Sequence, residues 1–491
     1  MSDSGTETKL AQNAIGLADV LFQSITSMAP AAAIAASIPL GAAFAGGALP
    51  LAVVIAFVGI LFTAWSIGQL ASHIPAAGSV ATYTAVGLSP KIGFLVGWGY
   101  AAVEVLIVPL VMLQLGFTLG GELTSMIPAI TAGSWWIFTV VGTFAVCWLV
   151  YRGVKTSTET GVWLGAIEIA VFLILGIVLV IKAGDHNTLA VFTTKYANAE
   201  GFKGWSGVFA GAVGALLAFS GFEAAAPLAE ETKNPRRNIP IAIMGATVAI
   251  GALYIFTTYA ATVSFGPEKF YGFAAWNNGV PWDGLAHGVS VVFWALVLFA
   301  IVNSTLANAN SGANVFTRTA YAMGRIGVFP RAFANLHPRF KSPQFGVLVE
   351  LVLGVVLALG LGFATSPVVA FGILATGIVV IVVPVYMLAN MACIGFFARH
   401  RKEEQHWFLH IVIPMLGLLF LVPGFLSVAG ITGIPGMSFI SALSAPYKYA
   451  PWVAGIWIII GIVVLYVMQK KNPDVVDAVA HIHLDEEIAE A

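Results

Sequence analysis

Charge is what this sequence most lacks. Asp, Glu, Lys and Arg make up 9% of its 491 residues, where a water-soluble domain carries roughly 25%. Water is therefore not the solvent for most of its surface. Its 22 basic and 23 acidic residues nearly cancel, which leaves no basic face for nucleic acid, whose phosphates need clustered Lys and Arg. Cysteine is scarce too. Cys147 and Cys393 both sit in apolar runs, and two such thiols make neither a disulfide framework nor a zinc site. No G-x-x-x-x-G-K-[ST] phosphate loop and no H-E-x-x-H helix occurs, which argues against an ATP-driven pump and against a metalloprotease. We expect no catalytic residue, no cofactor and no metal.

What the chain has in abundance is apolar length. A membrane helix needs about 20 mostly apolar residues. Twelve runs qualify, at roughly 15–43, 49–72, 92–120, 135–151, 159–182, 206–228, 240–264, 286–317, 344–363, 367–397, 408–430 and 450–469. The first is far longer than a signal-peptide core of about 7–15 residues, so it reads as a retained span. With the N-terminus inside, Lys182, Lys195, Lys203, Lys269 and Lys448 fall outside and the other 17 basic residues fall on the cytoplasmic side. That bias obeys the positive-inside rule and leaves no basic residue within a span. The chain thus reads as an all-α membrane protein of about twelve spans with both termini cytoplasmic. Residues 1–14 form a cytoplasmic segment, 15–397 a ten-helix core, 408–469 two further helices, and 470–491 a polar tail.

Acids behave differently from bases. Glu104, Glu168, Glu223 and Glu350 lie within apolar runs, with no basic residue nearby in sequence. A charge at membrane depth costs several kcal/mol, so such residues face a cavity or the bundle interior. Two spans also carry helix breaks. Span 1 reads Thr26-Ser27-Met28-Ala29-Pro30-Ala31-Ala32-Ala33; Pro30 lacks an N–H, and its ring clashes with the preceding turn. Span 6 reads Phe219-Ser220-Gly221-Phe222-Glu223-Ala224-Ala225-Ala226-Pro227, with Gly and Pro bracketing an acid. Span 1 starts inside and span 6 outside, so spans 1–5 and 6–10 can be related by inversion. Interrupted segments at matching places in inverted halves mark a transporter's central site. Half-helix N-termini there hold anions, and freed carbonyls hold ammonium groups or cations.

Three stretches carry a resemblance. Ile74-Pro75-Ala76-Ala77-Gly78-Ser79, Tyr83 and Ser89-Pro90-Lys91-Ile92-Gly93-Phe94-Leu95-Val96-Gly97-Trp98 form the first. Phe219-Ser220-Gly221-Phe222-Glu223 with Glu230-Glu231-Thr232-Lys233-Asn234-Pro235-Arg236-Arg237-Asn238-Ile239-Pro240 form the second. The third is Met323-Gly324-Arg325, Phe329-Pro330 and His337-Pro338-Arg339-Phe340. In this order and spacing they resemble the APC superfamily of amino acid, polyamine and organocation permeases.

The resemblance implies a LeuT-type fold, a five-plus-five inverted repeat with two added helices, working by alternating access in a bacterial inner membrane. It implies a substrate site between the breaks of spans 1 and 6. The expected substrate-binding set is Thr26, Ser27, Met28, Ala29, Ala31, Ala32, Glu104, Phe219, Ser220, Gly221, Phe222, Glu223 and Asn303. Where the family commonly reads G-S-G at the first break, this chain reads Pro30-Ala31-Ala32, with one backbone donor fewer for a substrate carboxylate. Glu104 followed by Pro109, and Val302-Asn303-Ser304-Thr305-Leu306-Ala307, are similar to putrescine-importer-like members. Glu104 then has two readings, a partner for a second ammonium group or a protonated acid bonded to a neighbouring helix. Glu168 aligns near the position where some proton-coupled members carry a lysine, and is expected as the proton-coupling group. Glu223 either orders the second break or meets the substrate amine, and Phe219 and Phe222 offer faces for a gate or for a cation–π contact. The expected function is proton-coupled import of an amino acid or related amine. A polyamine carrier or an antiporter is the alternative. The expected partners are that substrate, protons and the lipid bilayer.

Overall fold

The computed structural model describes residues 15–471 apart from 77, 126, 128, 129, 154–157, 326 and 341. The expected cytoplasmic segment 1–14, and the tail beyond 471, lie outside the described residues. Within lipid no water is available to pair backbone N–H and C=O groups, so a crossing chain must pair them within itself. The described residues accordingly contain no strand, only an isolated bridge between Ile15 and Thr232.

Among the described residues twelve α-helices of eleven or more residues carry the fold: α1 (Leu17–Ser27), α2 (Leu49–His73), α3 (Pro90–Glu122), α4 (Trp135–Arg152), α5 (Thr158–Ala183), α6 (Trp205–Phe219), α7 (Pro235–Phe265), α8 (Val291–Arg325), α9 (Gln344–Ala364), α10 (Pro367–His400), α11 (Ile413–Ala429) and α12 (Ala450–Lys471). Ten segments among the described residues are long and apolar enough to cross a membrane. The first of them, Leu17–His73, is 57 residues long and contains both α1 and α2. Trp205–Phe219 is apolar but shorter.

Local chemistry sets several helix starts. Ser89 and Ser366 accept hydrogen bonds from the Ile92 and Val369 N–H groups at 3.4 and 3.3 Å, each followed by a proline at the first helical position. A proline there loses no bond, because the first N–H groups of a helix are unpaired anyway. The expected run 15–43 is not one helix. It stops at Ser27, turns through Ala29 in the left-handed region (φ 46°), and resumes at Pro30. The resumed part passes through a wide π turn at Ala33–Ser37 and ends at Ala45.

This resumed part crosses α6 with backbones nearly touching. A β-carbon on Gly214 would stand 2.2 Å from the Ser37 carbonyl oxygen, and one on Gly211 2.5 Å from the Ala45 β-carbon. Small residues at such a crossing let dispersion contacts replace the hydrophobic drive that lipid cannot supply. Around this pair, α2, α3, α7, α8 and α10 form the inner ring, with α3 against α8 and α2 against α7. The outer faces of α4, α5, α9 and α12 stay apolar and exposed, as at Ile181 (73%) and Trp452 (74%). Bilayer hydrocarbon is the surrounding such faces require.

Candidate functional site

The first break exposes carbonyl groups, and neighbouring helices supply the donors. Asn308 of α8 donates to the Ser27 carbonyl at 3.1 Å. Gln114 of α3 donates to the Ala32 carbonyl at 2.9 Å. The Tyr254 hydroxyl of α7 lies 2.9 Å from the Met28 carbonyl and 3.1 Å from that of Ala218, and so links the last turns of α1 and α6. On the opposite side of the break the Ala31 N–H faces the Glu168 carboxylate of α5, which also accepts from the Asn303 amide of α8. Glu168 is buried. Its carboxylate therefore stands at the N-terminus of a half-helix, where unpaired N–H groups favour an anion.

The second break begins as α6 ends at Phe219. Gly221 takes φ 99°, a conformation that costs a β-carbon-bearing residue about 1–2 kcal/mol. From Ala226 to Glu231 the chain forms a 3₁₀ stretch rather than an α-helix, so the expected run 206–228 loses its second half as an α-helix. Glu223 folds back on this break, with the N–H groups of Gly221 and Glu223 itself facing its carboxylate. Tyr100 of α3 donates to it, as does Tyr386 of α10 at 3.1 Å from each oxygen. The Ser24 hydroxyl of α1 accepts from the Ala225 N–H at 3.1 Å and joins the two breaks.

Between the breaks lies a cavity of about 50 Å³. This volume holds a few waters, and a substrate of amino acid size must widen it. Ser27, Ser220 and Gly221 bound it on the side of the breaks, and Tyr100 and Glu104 on α3. Asn308, Ser311, Gly312 and Val315 close it from α8. Among the described residues no Lys or Arg lines it.

Of the expected binding set, Ser27, Glu104, Ser220 and Gly221 reach the cavity. Thr26, Met28, Ala29, Ala31 and Ala32 belong to the first break without lining the cavity. Glu223 stands one layer behind, bonded to the lining Tyr100, and Asn303 bonds Glu168, which does not line the cavity. Phe219 and Phe222 do not present open faces. Both are fully buried, Phe219 against Phe57 and Tyr254 at 5.9 and 5.3 Å between ring centres and Phe222 against Tyr386 at 5.1 Å. Glu350 is also buried, on α9, outside the cavity lining.

Sequence reasoning missed Tyr100, Tyr254, Tyr386, Gln114 and the α8 stripe. Two signals were available. Tyr100 precedes Glu104 by one helical turn and shares its face. Asn308, Ser311, Gly312 and Val315 follow the i, i+3, i+4, i+7 spacing of one helix face.

Comparison with known proteins agrees with this architecture. The sequence profile described as amino acid permease matches residues 19–472. The low-affinity putrescine importer PlaP of Escherichia coli (strain K12) is 26% identical over 389 residues, covering 76% of this chain and 79% of that protein. The branched-chain amino acid permease BcaP of Bacillus subtilis (strain 168) is 26% identical over 455 residues, covering 88% of each. The lysine-specific permease LysP of Lactococcus lactis is 29% identical over 62% of this chain and 60% of that protein. Among solved structures, a manganese transporter of Eremococcus coleocola superposes with a TM-score of 0.54 at 13% identity, covering 94% of this chain and 95% of that one, a likeness of fold alone.

Proposed function

The chain belongs to the amino acid permease family, and from that premise we propose that it is a secondary active transporter importing an amino acid or related amine, driven by protons through alternating access. It is a transporter and not an enzyme, and amino acids or amines are its substrate class. The finer reading counts twelve spans, taking Leu17–His73 as two crossings and the broken 205–231 segment as one. Spans 1–5 and 6–10 then form the inverted repeat of a LeuT-type fold, with both termini on the cytoplasmic face of the inner membrane.

One observation favours a di- or polyamine within that class. At each break a carboxylate of the chain itself stands where a substrate carboxylate would dock, Glu168 at the Ala31 N–H and Glu223 at the Gly221 N–H. The cavity adds the acid Glu104 and, among the described residues, no base. A carboxylate brought there meets occupied donors and like charge, whereas an ammonium group meets Glu104, with the Tyr100–Glu223 pair behind it.

Glu168 is the coupling group in this reading. As a carboxylate it accepts from Asn303 and faces the Ala31 N–H; a proton on it removes acceptor capacity and weakens its attraction for the resumed half of span 1. Protonation and the position of the break are thereby linked.

Uptake into proteoliposomes under an imposed pH gradient, competed by neutral amino acids and by diamines, tests the whole reading. Diamines should compete and neutral amino acids should not. Glu104→Gln should weaken diamine competition on the order of 10–100-fold, the scale of one charge-assisted hydrogen bond of about 1.5–3 kcal/mol. Glu168→Gln should abolish acceleration by the gradient while leaving substrate exchange. Competition by neutral amino acids alone would sink the amine reading, and gradient-driven uptake by Glu168→Gln would sink the coupling role.

A further inference from the structure

A second concavity lies on the lipid-facing side, away from the transport cavity. It is a groove of about 600 Å³ between α4 and α9, walled by Phe144, Trp148 and Tyr151 on one side and Phe345 and Leu348 on the other, with Asn335 at its loop end. Phe144 is 54% and Trp148 58% exposed. The walls suit hydrocarbon.

At the loop end the chemistry changes sign. The Arg152 guanidinium sits 5.6 Å from the Trp148 ring centre and 5.0 Å from that of Phe340. Arg339 stands over the same Phe340 ring at 5.6 Å, and His337 stacks on it at 4.7 Å. The ring of Tyr151, a groove residue, meets Phe340 at 5.7 Å. Two guanidinium groups thus share one aromatic ring beside an apolar groove. Neither takes part in an ion pair among the described residues, where the pairs are His73–Glu404 and Arg401–Glu404. Both side chains are exposed, which puts two positive charges within reach of a lipid headgroup at the end of the groove.

We propose that this groove is a binding site for an anionic phospholipid, with the phosphate between Arg152 and Arg339 and an acyl chain along Trp148, Phe144 and Leu348. The proposal goes beyond transport and rests on the orientation given above, which puts the loop between α8 and α9 on the cytoplasmic side. Anionic lipid is concentrated in that leaflet, and basic pockets between membrane helices there take such headgroups. A free phosphate would leave the groove empty; a neutral lipid would leave the two arginines unpaired.

The test uses the full-length protein in detergent, titrated with phosphatidylglycerol carrying brominated acyl chains while tryptophan fluorescence is read. The part of the quenching lost in Trp148→Phe reports occupancy of the groove. Phosphatidylglycerol should half-saturate that part at a concentration at least tenfold below phosphatidylcholine with the same chains. At about 1 kcal/mol for each arginine near the surface, Arg152→Gln and Arg339→Gln should each weaken the anionic lipid roughly fivefold. Arg152→Lys should keep the preference, which separates loss of charge from misfolding. Equal quenching by the neutral lipid would overturn the proposal, as would glutamine variants that bind phosphatidylglycerol like the parent. Inorganic phosphate raising the thermal midpoint as far as phosphatidylglycerol does would reduce the site to an anion site and overturn the lipid.

Discussion

The chain leaves the helix for only two residues, Met28 and Ala29, and resumes on Pro30, whereas from Ser220 to Glu231 it does not return to an α-helix. The groups freed by the first break are met from outside, by Asn308, Gln114, Tyr254 and Glu168 on four different helices. Those of the second are met largely from within, by the local turns Phe222 to Phe219 (3.3 Å) and Ala226 to Glu223 (2.8 Å) and by the Glu223 carboxylate. Only then do Tyr100 and Tyr386 add to it. Rigidity therefore resides in different places at the two breaks. A break braced by four helices keeps its place relative to them, while the second owes more of its pairing to its own turns and is tied to its neighbours through Ser24, Tyr100 and Tyr386.

Three substitutions bear on that contrast, in falling order of effect. Glu223→Gln should cut uptake on the order of 100-fold. Its amide cannot accept from both tyrosines and both N–H groups, and charge-assisted bonds of about 1.5–3 kcal/mol each are at stake. Initial uptake rates at matched expression measure this, and an undiminished rate would mean that the second break does not depend on its own acid. Tyr254→Phe should cost about 1–2 kcal/mol, the price of leaving buried carbonyls short of a donor, and slow uptake roughly tenfold with a lower thermal midpoint. Were this variant the more damaging of the two, the first break and not the second would be the more sensitive element. Ala29→Gly sharpens the contrast from the other side. Relief of the left-handed strain, about 1–2 kcal/mol, is offset by the extra freedom of glycine in the unfolded chain. A gain below about 1 kcal/mol should appear as a slightly higher midpoint with uptake unchanged.

The positions of the breaks were legible because their causes are local. Pro30 cannot donate, and Gly221 with Pro227 brackets an acid that has no reason to lie in hydrocarbon. The buried acids were legible for the same reason, since carboxyls stand out against apolar runs. Their partners were not. Tyr100 and Glu223 are 123 positions apart, and a tyrosine in a membrane helix is also used as an interfacial anchor or for core packing. The aromatic letters of Phe219 and Phe222 suggested a gate, yet their side chains go where the ring of α2, α7 and α10 has room. Helix ends failed where apolar composition outlasts or falls short of the helix. The expected run 286–317 merges the separate short helix Pro281–His287 with α8, which continues to Arg325.

The glycine crossing has a mechanical consequence. Gly211 and Gly214 bring the resumed half of the first broken helix and α6 into direct contact, with the Ala45 β-carbon and the Ser37 carbonyl oxygen where their side chains would otherwise stand. On the other side of the breaks, Ile15 donates to the Glu231 carbonyl at 3.1 Å and accepts from the Lys233 N–H at 2.9 Å, which joins the two inner arms. The broken helices are thus coupled in pairs on both faces of the site. They make two leaves of one door, each leaf built from both broken helices, with the unwound residues between the leaves.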